Sequence, residues 1–226
     1  MLKALPFFLS LCGMIPLSAR PLMIGICGGT AAGKTTLAKV LARSVPGTVV
    51  VDQDSYYHDT GHLSAQERAL LNFDEPAAID FELLIDHVHR MRAGQSIWKP
   101  WRSFVTGARD PSRFTKVAPK GCVIVEGILI FAEPKLRELF DLKIFVDLSA
   151  DLRLLRRVER DQVRNGQTLE EIREQYLKTV RPMYELWTAP ARDSADLIVR
   201  GDADWSAILP MLQTYVQSLS AGIADD

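Results

Sequence analysis

The stretch GGTAAGKT at residues 28–35 decides the fold, because it fits the spacing G-x-x-x-x-G-K-[ST]. The apolar run LMIGIC at residues 22–27 comes before it and is typical of a buried strand. The run TLAKVLA at residues 36–42 comes after it and carries apolar residues on one helix face. A strand, a glycine-rich loop and a helix are the context in which this spacing builds a phosphate-binding loop. Without that context the spacing would be a chance match in a turn.

The chemistry of such a loop follows from its residue types. Glycines let backbone N–H groups point at an anion, and the N-terminus of the following helix adds a positive dipole. We expect Lys34 to reach the β- and γ-phosphates of a nucleoside triphosphate, and the hydroxyl of Thr35 to hold Mg²⁺. The predicted nucleotide-binding residues of the loop are Gly28, Gly29, Thr30, Ala31, Ala32, Gly33, Lys34, Thr35 and Thr36.

Composition narrows the class of protein. The chain has 226 residues, of which 47% are hydrophobic, so it can bury the core of one domain with a small addition. Its net charge of -1 gives no reason to expect a nucleic acid as partner. The three cysteines show no metal-binding spacing, and the chain has no apolar run long enough to span a membrane. We therefore expect a cytoplasmic protein with no membrane or nucleic-acid partner; the sequence leaves a homo-oligomer open.

Residues 1–21 are predicted to be a leader or a start-site extension. They resemble a secretory signal peptide, with Lys3 followed by an apolar core and small residues at 18–19. An enzyme that consumes a nucleoside triphosphate belongs where that nucleotide is, and Met23 stands at the head of the first predicted strand. We favour an extension upstream of the true start over real export, and we expect these residues to be dispensable.

The rest of the chain alternates strands and helices, which predicts a parallel α/β sheet. Strands are expected at 22–27, 48–52, 122–127, 142–147 and 195–199. Helices are expected at 36–44, 81–93, 151–164, 168–180 and 205–218. Between them, residues of about 95–118 form a predicted irregular or hairpin insertion. The predicted fold is a three-layer P-loop fold over residues 22–226, with that insertion and a lid at about 150–166.

Two acidic residues follow predicted strands at the edge where ligands bind in parallel sheets. Asp54 comes just after the second strand and is the best candidate for the base that accepts a hydroxyl proton; alternatively it is a turn or helix-cap aspartate. Glu126 ends a hydrophobic strand, as the acid of a Walker B element does, and could hold Mg²⁺ directly or through water. Lone histidines in the chain are interpreted as loop residues, surface residues or residues with a hydrogen-bond partner, and not as metal ligands.

An arginine-rich helix is the last candidate element. Arg153, Arg156, Arg157 and Arg160 recur at spacings of three and four, which would place them largely on one side of the helix. This pattern is typical either of a solvated face rich in salt bridges or of a lid that closes on phosphates. Five arginines in twelve residues favour the lid, with Arg156 and Arg160 as nucleotide ligands.

Several motifs in order resemble the uridine kinase and phosphoribulokinase group of P-loop kinases, closest to uridine kinase. The motifs are the loop, QDSYY at 53–57, NFDEP at 72–76, EGIL at 126–129, the arginine helix, VRPM at 180–183 and ADLI at 195–198. The resemblance implies that Asp54 is the base for a nucleoside 5′-hydroxyl and Asp74 a partner of the ribose. It also implies that Tyr57 and Phe73 line the nucleoside pocket, and that Arg153 serves the lid and the substrate.

One stretch departs from that family pattern. At residues 100–109 the chain reads PWRSFVTGAR, so Phe104 and Arg109 keep the family's aromatic and arginine as predicted substrate ligands. Arg102 and Gly107, however, stand where the family has the tyrosine and histidine used around the pyrimidine base. A site that loses hydrogen-bond partners for the base discriminates less or differently. We therefore expect weak preference for uridine, and Arg102 raises the alternative of an acceptor with a negative group.

These observations predict a nucleoside kinase that transfers the γ-phosphate of ATP or GTP, with Mg²⁺, to the 5′-hydroxyl of a ribonucleoside. Lys34 and Asp54 are the predicted catalytic residues, and Thr35 and Glu126 the predicted metal ligands. Two alternatives remain at this stage. One is a kinase for another ribosyl or sugar-like acceptor, and the other is a nucleotide-binding regulatory protein without transfer activity.

Overall fold

The protein is described by a computed structural model that covers residues 20–103 and 106–222. The predicted leader, except for its last two residues, lies outside this part of the chain, and so do Phe104 and Val105. Arg20 belongs to the predicted leader, yet its guanidinium pairs with the carboxylate of Asp141, with 2.7 Å between Nη1 and Oδ2. The proposed boundary at residue 22 therefore lies beside residues that already contact the domain.

Five parallel strands form the central sheet in the order β2-β5-β1-β6-β7. A separate antiparallel hairpin of β3 and β4 supplies the predicted insertion. The strands are β1 Leu22–Gly28, β2 Thr48–Asp52, β3 Ile97–Arg102, β4 Arg109–Val117, β5 Cys122–Gly127, β6 Leu142–Asp147 and β7 Leu197–Arg200.

Helices connect the strands and cover the sheet. The α-helices are α1 Lys34–Ser44, α2 Ala65–Ala69, α3 Phe81–Arg92, α4 Pro134–Arg137, α5 Ala150–Asn165, α6 Leu169–Gln175, α7 Arg181–Met183 and α8 Trp205–Gly222. Two π-helical segments, Tyr176–Val180 and Tyr184–Thr188, join α6 to α7 and extend it, so the helical backbone runs unbroken from 169 to 188. The predicted end of this helix near residue 180 was wrong, since the π segments carry the helix past Pro182.

The three layers follow from alternation along β1, the middle strand. Met23 and Cys27 face one side of the sheet and pack into a core with Leu84 and Val88 of α3. The alternate residues Leu22, Ile24 and Ile26 face the other side and pack against α1 and α8. A strand that is buried on both faces reads as a continuous apolar run, which is why 22–27 contains no charged residue. The predicted α/β class and layer order are confirmed.

No helix in the described ranges is long and apolar enough to cross a bilayer. Cys27 and Cys122 are both buried as free thiols, as their strand positions predict. His87 is also buried, and a 2.9 Å hydrogen bond joins its Nδ1 to the hydroxyl of Tyr56. This bond ties α3 to the short 3₁₀ turn Gln53–Tyr56 that follows β2.

Because that turn carries Asp54, Tyr56→Phe tests how firmly it is held. Removing the hydroxyl leaves Nδ1 of His87 buried without its partner, so we expect a loss of about 1–3 kcal/mol in the free energy of unfolding. Urea denaturation measures it. Tyr215→Phe is the matched control, because Tyr215 is 43% exposed on α8 and surface changes typically stay within about 0.5 kcal/mol. Equal losses in the two variants would contradict a stabilising role for the Tyr56–His87 bond.

Candidate active site

The loop between β1 and α1 has the shape of an anion cradle. Gly33 has φ 109°, a left-handed conformation that side chains rarely adopt, and it sits directly before the first turn of α1. Ala31 also has positive φ, at 57°. The ammonium of Lys34 is buried and donates to the carbonyl of Gly29 at 2.9 Å. Lys34 therefore lies folded over the loop, where phosphate oxygens can replace that carbonyl.

The predicted metal ligands are in direct contact. The hydroxyl of Thr35 donates to Oε1 of Glu126 at 2.7 Å. β5 pairs with β1 in a register that sets Glu126 opposite Ile26, so the end of one strand meets the start of the loop. Burial raises the pKa of Glu126, while the nearby Lys34 ammonium and the Thr35 hydroxyl oppose that shift.

Asp52, and not Asp54, is the aspartate that caps the turn after β2. One carboxylate oxygen of Asp52 accepts from the backbone N–H of Ser55 at 2.9 Å and from its hydroxyl at 2.6 Å. The other oxygen pairs with the ammonium of Lys99 from β3, which also donates to the Ser55 hydroxyl at 2.9 Å. Although burial alone would raise it, the Lys99 ammonium holds the pKa of Asp52 below its usual range.

Asp54 is left without such partners. Within the described residues its carboxylate makes no hydrogen bond or ion pair, and its side chain is open to solvent between the loop and the hairpin. Protein crowding on the other sides still raises its pKa by desolvation, and the Asp52 carboxylate adds to the shift. Lys34, Arg160 and Arg102 act in the opposite direction through their charges. A free carboxylate beside these cations can accept a proton.

Tyr57 and Phe73 form an aromatic wall on the hairpin side of Asp54. Their rings meet edge to face with centroids 5.7 Å apart. The guanidinium carbon of Arg102 lies 5.1 Å from the centroid of Tyr57 and 5.6 Å from that of Phe73. The structure thus brings together three predicted substrate residues, with a cation over two rings.

Asp74 follows Phe73 in the chain and contacts the helical segment after α6. Its Oδ2 accepts from the hydroxyl of Thr179 at 3.2 Å, and Thr179 belongs to the first π-helical segment. Burial raises the pKa of Asp74, and the charge of Arg157 opposes the shift. A carboxylate that keeps one oxygen open is suited to bind vicinal hydroxyls.

Arg109 and Gly107 hold the turn end of the hairpin against the domain. Nη1 of Arg109 donates to Oδ2 of Asp80 at 2.9 Å, so this predicted substrate ligand is paired to the cap of α3. Gly107 has φ 69° and is buried, and its carbonyl accepts from the backbone N–H of Thr60 at 3.1 Å. A Cβ at Gly107 would collide with the Thr60 hydroxyl. Phe104, the remaining predicted ligand of this stretch, lies outside the described residues.

The arginines of α5 lie largely on one side of the helix, as their spacings of three and four predict, but they differ in burial and in partner. Arg153 is buried, donates to the carbonyl of Leu148 at 3.0 Å and stacks 3.7 Å from the ring of Tyr184. Arg156 is exposed and donates to the carbonyl of Gly201 at 3.1 Å. Arg160 is paired to Asp161, with Nε 2.7 Å from Oδ1. Arg153 acts here as a support beneath the loop, because its guanidinium fills the space a side chain at Gly29 would need.

Arg157 is a site residue that sequence reasoning left without an individual role. It is buried, and it donates to the hydroxyl of Thr30 at 3.2 Å and to Oε1 of Gln175 at 2.9 Å. Its Nε lies 3.3 Å from Oδ2 of Asp161, one helical turn away. Arg157 therefore joins the tip of the loop to α6. The spacing of four between Arg157 and Asp161 was the available signal, but spacing alone does not show which face of α5 is buried.

Two further contacts were missed because their partners are far apart in the chain. Lys99 reaches Asp52 from the hairpin, 47 residues away. Gln53 is fully buried, and its Oε1 accepts from the backbone N–H of Leu129 at 2.8 Å. These contacts fix the turn that presents Asp54.

The site fits a Mg²⁺ ion that is bound jointly by the protein and the phosphates of a nucleotide. Within the described residues no group of three or more His, Cys, Asp and Glu side chains could hold a metal ion unaided. Mg²⁺, however, typically takes one or two protein oxygens together with phosphate oxygens and waters. The hydroxyl of Thr35 and the carboxylate of Glu126 are hard oxygen donors of that kind, placed next to Lys34.

Comparisons with known proteins agree with this geometry. Residues 23–204 match the model of the Phosphoribulokinase / Uridine kinase family. The chain is 45% identical over 182 residues to a uridine kinase of Clostridium perfringens, covering 80% of this chain and 87% of the relative. It is 40% identical over 202 residues to a uridine kinase of Halalkalibacterium halodurans, covering 88% and 95%.

Solved structures show the same fold at lower identity. One is a putative fructose transport system kinase from a Silicibacter species, with a TM-score of 0.63 at 22% identity over 80% of this chain and 90% of that chain. Another is phosphoribulokinase from Rhodobacter spheroides, with a TM-score of 0.60 at 18% identity over 81% and 71%.

Gly107→Ala tests how tightly the hairpin end is held. Gly94 provides the matched control, since its φ of 74° resembles the 69° of Gly107 but nothing lies within 4 Å of a Cβ there. We expect Gly94→Ala to cost about 1–2 kcal/mol of unfolding free energy from backbone strain alone. Gly107→Ala should cost clearly more, because the new methyl group also displaces Thr60. Urea denaturation of both variants measures the difference, and equal costs would show that the Gly107–Thr60 contact is loose.

Proposed function

The chain belongs to the phosphoribulokinase and uridine kinase family, and from that premise we propose that it is a nucleoside kinase resembling uridine kinase. It transfers the γ-phosphate of ATP or GTP to the 5′-hydroxyl of a ribonucleoside. The observation that carries the proposal is the free carboxylate of Asp54, which stands beside the loop while Asp52 takes the capping role. A binding protein without transfer activity has no use for such a group.

On the donor side, the protein positions the phosphates of the nucleotide and stabilises their negative charge. Backbone N–H groups of residues 28–34 bind the phosphates, and Lys34 exchanges the carbonyl of Gly29 for β- and γ-phosphate oxygens. Thr35 and Glu126 hold Mg²⁺, which when bound neutralises charge on the phosphates. Arg156, which is exposed on α5, and Arg160, which is half-buried, are the lid arginines. Each must exchange its present partner for the nucleotide.

On the acceptor side, the protein orients the 5′-hydroxyl of the ribonucleoside. Asp74 binds the ribose hydroxyls, and Thr179 fixes the orientation of that carboxylate. The Tyr57 and Phe73 rings bind the base. Asp54 accepts the proton of the 5′-hydroxyl as its oxygen attacks the γ-phosphorus, and the nucleoside diphosphate leaves on the opposite side.

Lys34→Ala should lower kcat/KM by about 10²–10³, the range typical for loss of one charge-stabilising donor. The fold should survive, because the change shortens one side chain at the edge of the loop. Lys39→Ala is the control, since Lys39 is exposed on the same helix. A coupled assay of nucleoside diphosphate release with a ribonucleoside acceptor measures both. Near-normal turnover by a folded Lys34→Ala variant would contradict the assigned role.

Asp54→Asn should lower kcat by about 10²–10⁴ with little change in nucleotide affinity, because the amide keeps the shape but cannot accept the proton. In the wild-type enzyme the pKa of Asp54 is raised. We therefore expect activity to fall on the acid side (the acid limb of the rate profile) with an apparent pKa above the usual aspartate value of about 3.9. Activity is lost as pH falls through that limb, since the base becomes protonated.

Asp52→Asn shifts this limb in a predictable direction. Asparagine still caps the turn, but the negative charge that raises the pKa of Asp54 is gone, so the limb should move to lower pH. The pH dependence of kcat/KM for wild type and Asp52→Asn checks the direction. An unchanged limb would mean that another group controls the acid side of the profile.

A further inference from the structure

Arg102 is a cation whose guanidinium packs against aromatic rings. It ends β3, is only partly exposed, and its guanidinium lies over the rings of Tyr57 and Phe73. A guanidinium stacked on aromatic faces keeps its in-plane N–H donors free to point sideways. Burial lowers the pKa of Arg102, so water solvates this charge poorly.

Among the described residues, three cations around Arg102 form ion pairs and Arg102 does not. Lys99 is paired with Asp52, Arg109 with Asp80, and Arg160 with Asp161. Within the described residues no carboxylate lies within ion-pair distance of Arg102, and its buried Nε has no hydrogen-bond acceptor. Asp54 and Asp59 reach it only through space. A partly desolvated guanidinium without a partner favours an incoming anion or a pair of acceptors.

Gly107 explains why the guanidinium can occupy this place. A Cβ at Gly107 would lie 3.4 Å from Nη2 of Arg102, so any longer side chain would contest the same space. The backbone there is left-handed and packed on Thr60, which also excludes a histidine without rearrangement. Glycine at 107 therefore leaves room for the guanidinium of Arg102.

We propose that Arg102 binds a carboxylate carried by the base of the acceptor, so that the substrate class is a riboside with an acidic base. This inference rests on the proposed function and deepens it. A carboxylate matches the fork of N–H donors in plane with two parallel hydrogen bonds. The guanidinium has no acceptor atom, so a neutral edge that presents an N–H group offers it only part of that match.

The rival explanation gives Arg102 a purely electrostatic role. Its positive charge opposes the rise in the pKa of Asp54 and could serve only to keep that base ionised. In that case removing the charge would shift the acid limb to higher pH for every acceptor alike. It would leave the ratio between two acceptors unchanged at neutral pH, and this ratio separates the two explanations.

The experiment uses two pairs of ribosides that differ in a carboxylate. Nicotinic acid riboside and nicotinamide riboside differ by carboxylate against carboxamide, and orotidine differs from uridine by one carboxylate. For each, kcat/KM is measured with Mg-ATP, and the dissociation constant is measured by calorimetry with Mg²⁺ and a non-hydrolysable ATP analogue. Wild type should prefer the carboxylate member of at least one pair by about tenfold to a hundredfold, the range of a charge-assisted hydrogen bond.

The variants assign the preference to Arg102. Arg102→Gln should abolish it, and Arg102→Lys should keep part of it, because lysine retains the charge but not the fork. Arg113→Gln is the matched control: its guanidinium stacks 3.8 Å from the ring of Trp101 on the same hairpin, and it should leave the preference intact. Thermal unfolding of each variant checks that the hairpin remains folded.

The outcomes separate this inference from the proposed function. If neutral ribosides are phosphorylated but neither pair shows a carboxylate preference, or if the preference survives in Arg102→Gln, the inference is overturned and the nucleoside kinase stands. If a carboxylate riboside binds with an Arg102-dependent preference but no riboside is phosphorylated, the inference stands and the proposed function fails.

Discussion

The parallel pairing of β5 with β1 is the constraint on which the site depends. Parallel strands end at the same edge of a sheet, so the end of β5 comes up beside the loop that follows β1. That register allows the hydroxyl of Thr35 to reach Glu126 at 2.7 Å. β2 pairs with the other side of β5 and sets Asp52 opposite Glu126, which brings the turn with Asp54 to the same edge. Strand pairing thus collects groups that lie up to 91 residues apart.

Charge is distributed unevenly over these groups. Asp52 forms an ion pair with Lys99, and its pKa lies below the usual range. Asp54 and Glu126 have raised pKa values because they are desolvated and incompletely compensated. Such carboxylates gain most from an added cation or from accepting a proton, since either relieves the cost of a poorly solvated charge. The neighbouring Asp52 caps the turn, and its charge adds to the rise in the pKa of Asp54.

The predicted acceptor-binding residues lie on elements outside the main sheet. The β3–β4 hairpin is anchored by Lys99 on Asp52 and by Arg109 on Asp80, so it lies over the same edge of the domain. The π-helical segment supplies Thr179 to Asp74, and π segments within α-helices frequently occur at functional sites. Relatives at 40–45% identity share the family. The sequence of this chain departs from the family pattern at Arg102 and Gly107 of the hairpin, where we propose that the base binds. Specificity can therefore change while the phosphate machinery stays constant.

The sequence by itself determined the α/β class, the bounds of most strands, the phosphate loop and the acidic residues at strand ends. These are local properties: the spacing of glycines, runs of β-branched residues, and helical periodicity. Only the tertiary structure decided that Asp52 rather than Asp54 caps the turn and that Arg153 and Arg157 are buried supports. It also decided that Arg102 lies over two rings with no ion pair to any described residue. Each of these depends on a partner from another element, such as Lys99, Tyr184 or Gly107. A linear pattern gives the type of each residue but not the through-space neighbour that determines its charge, exposure and free hydrogen-bonding atoms.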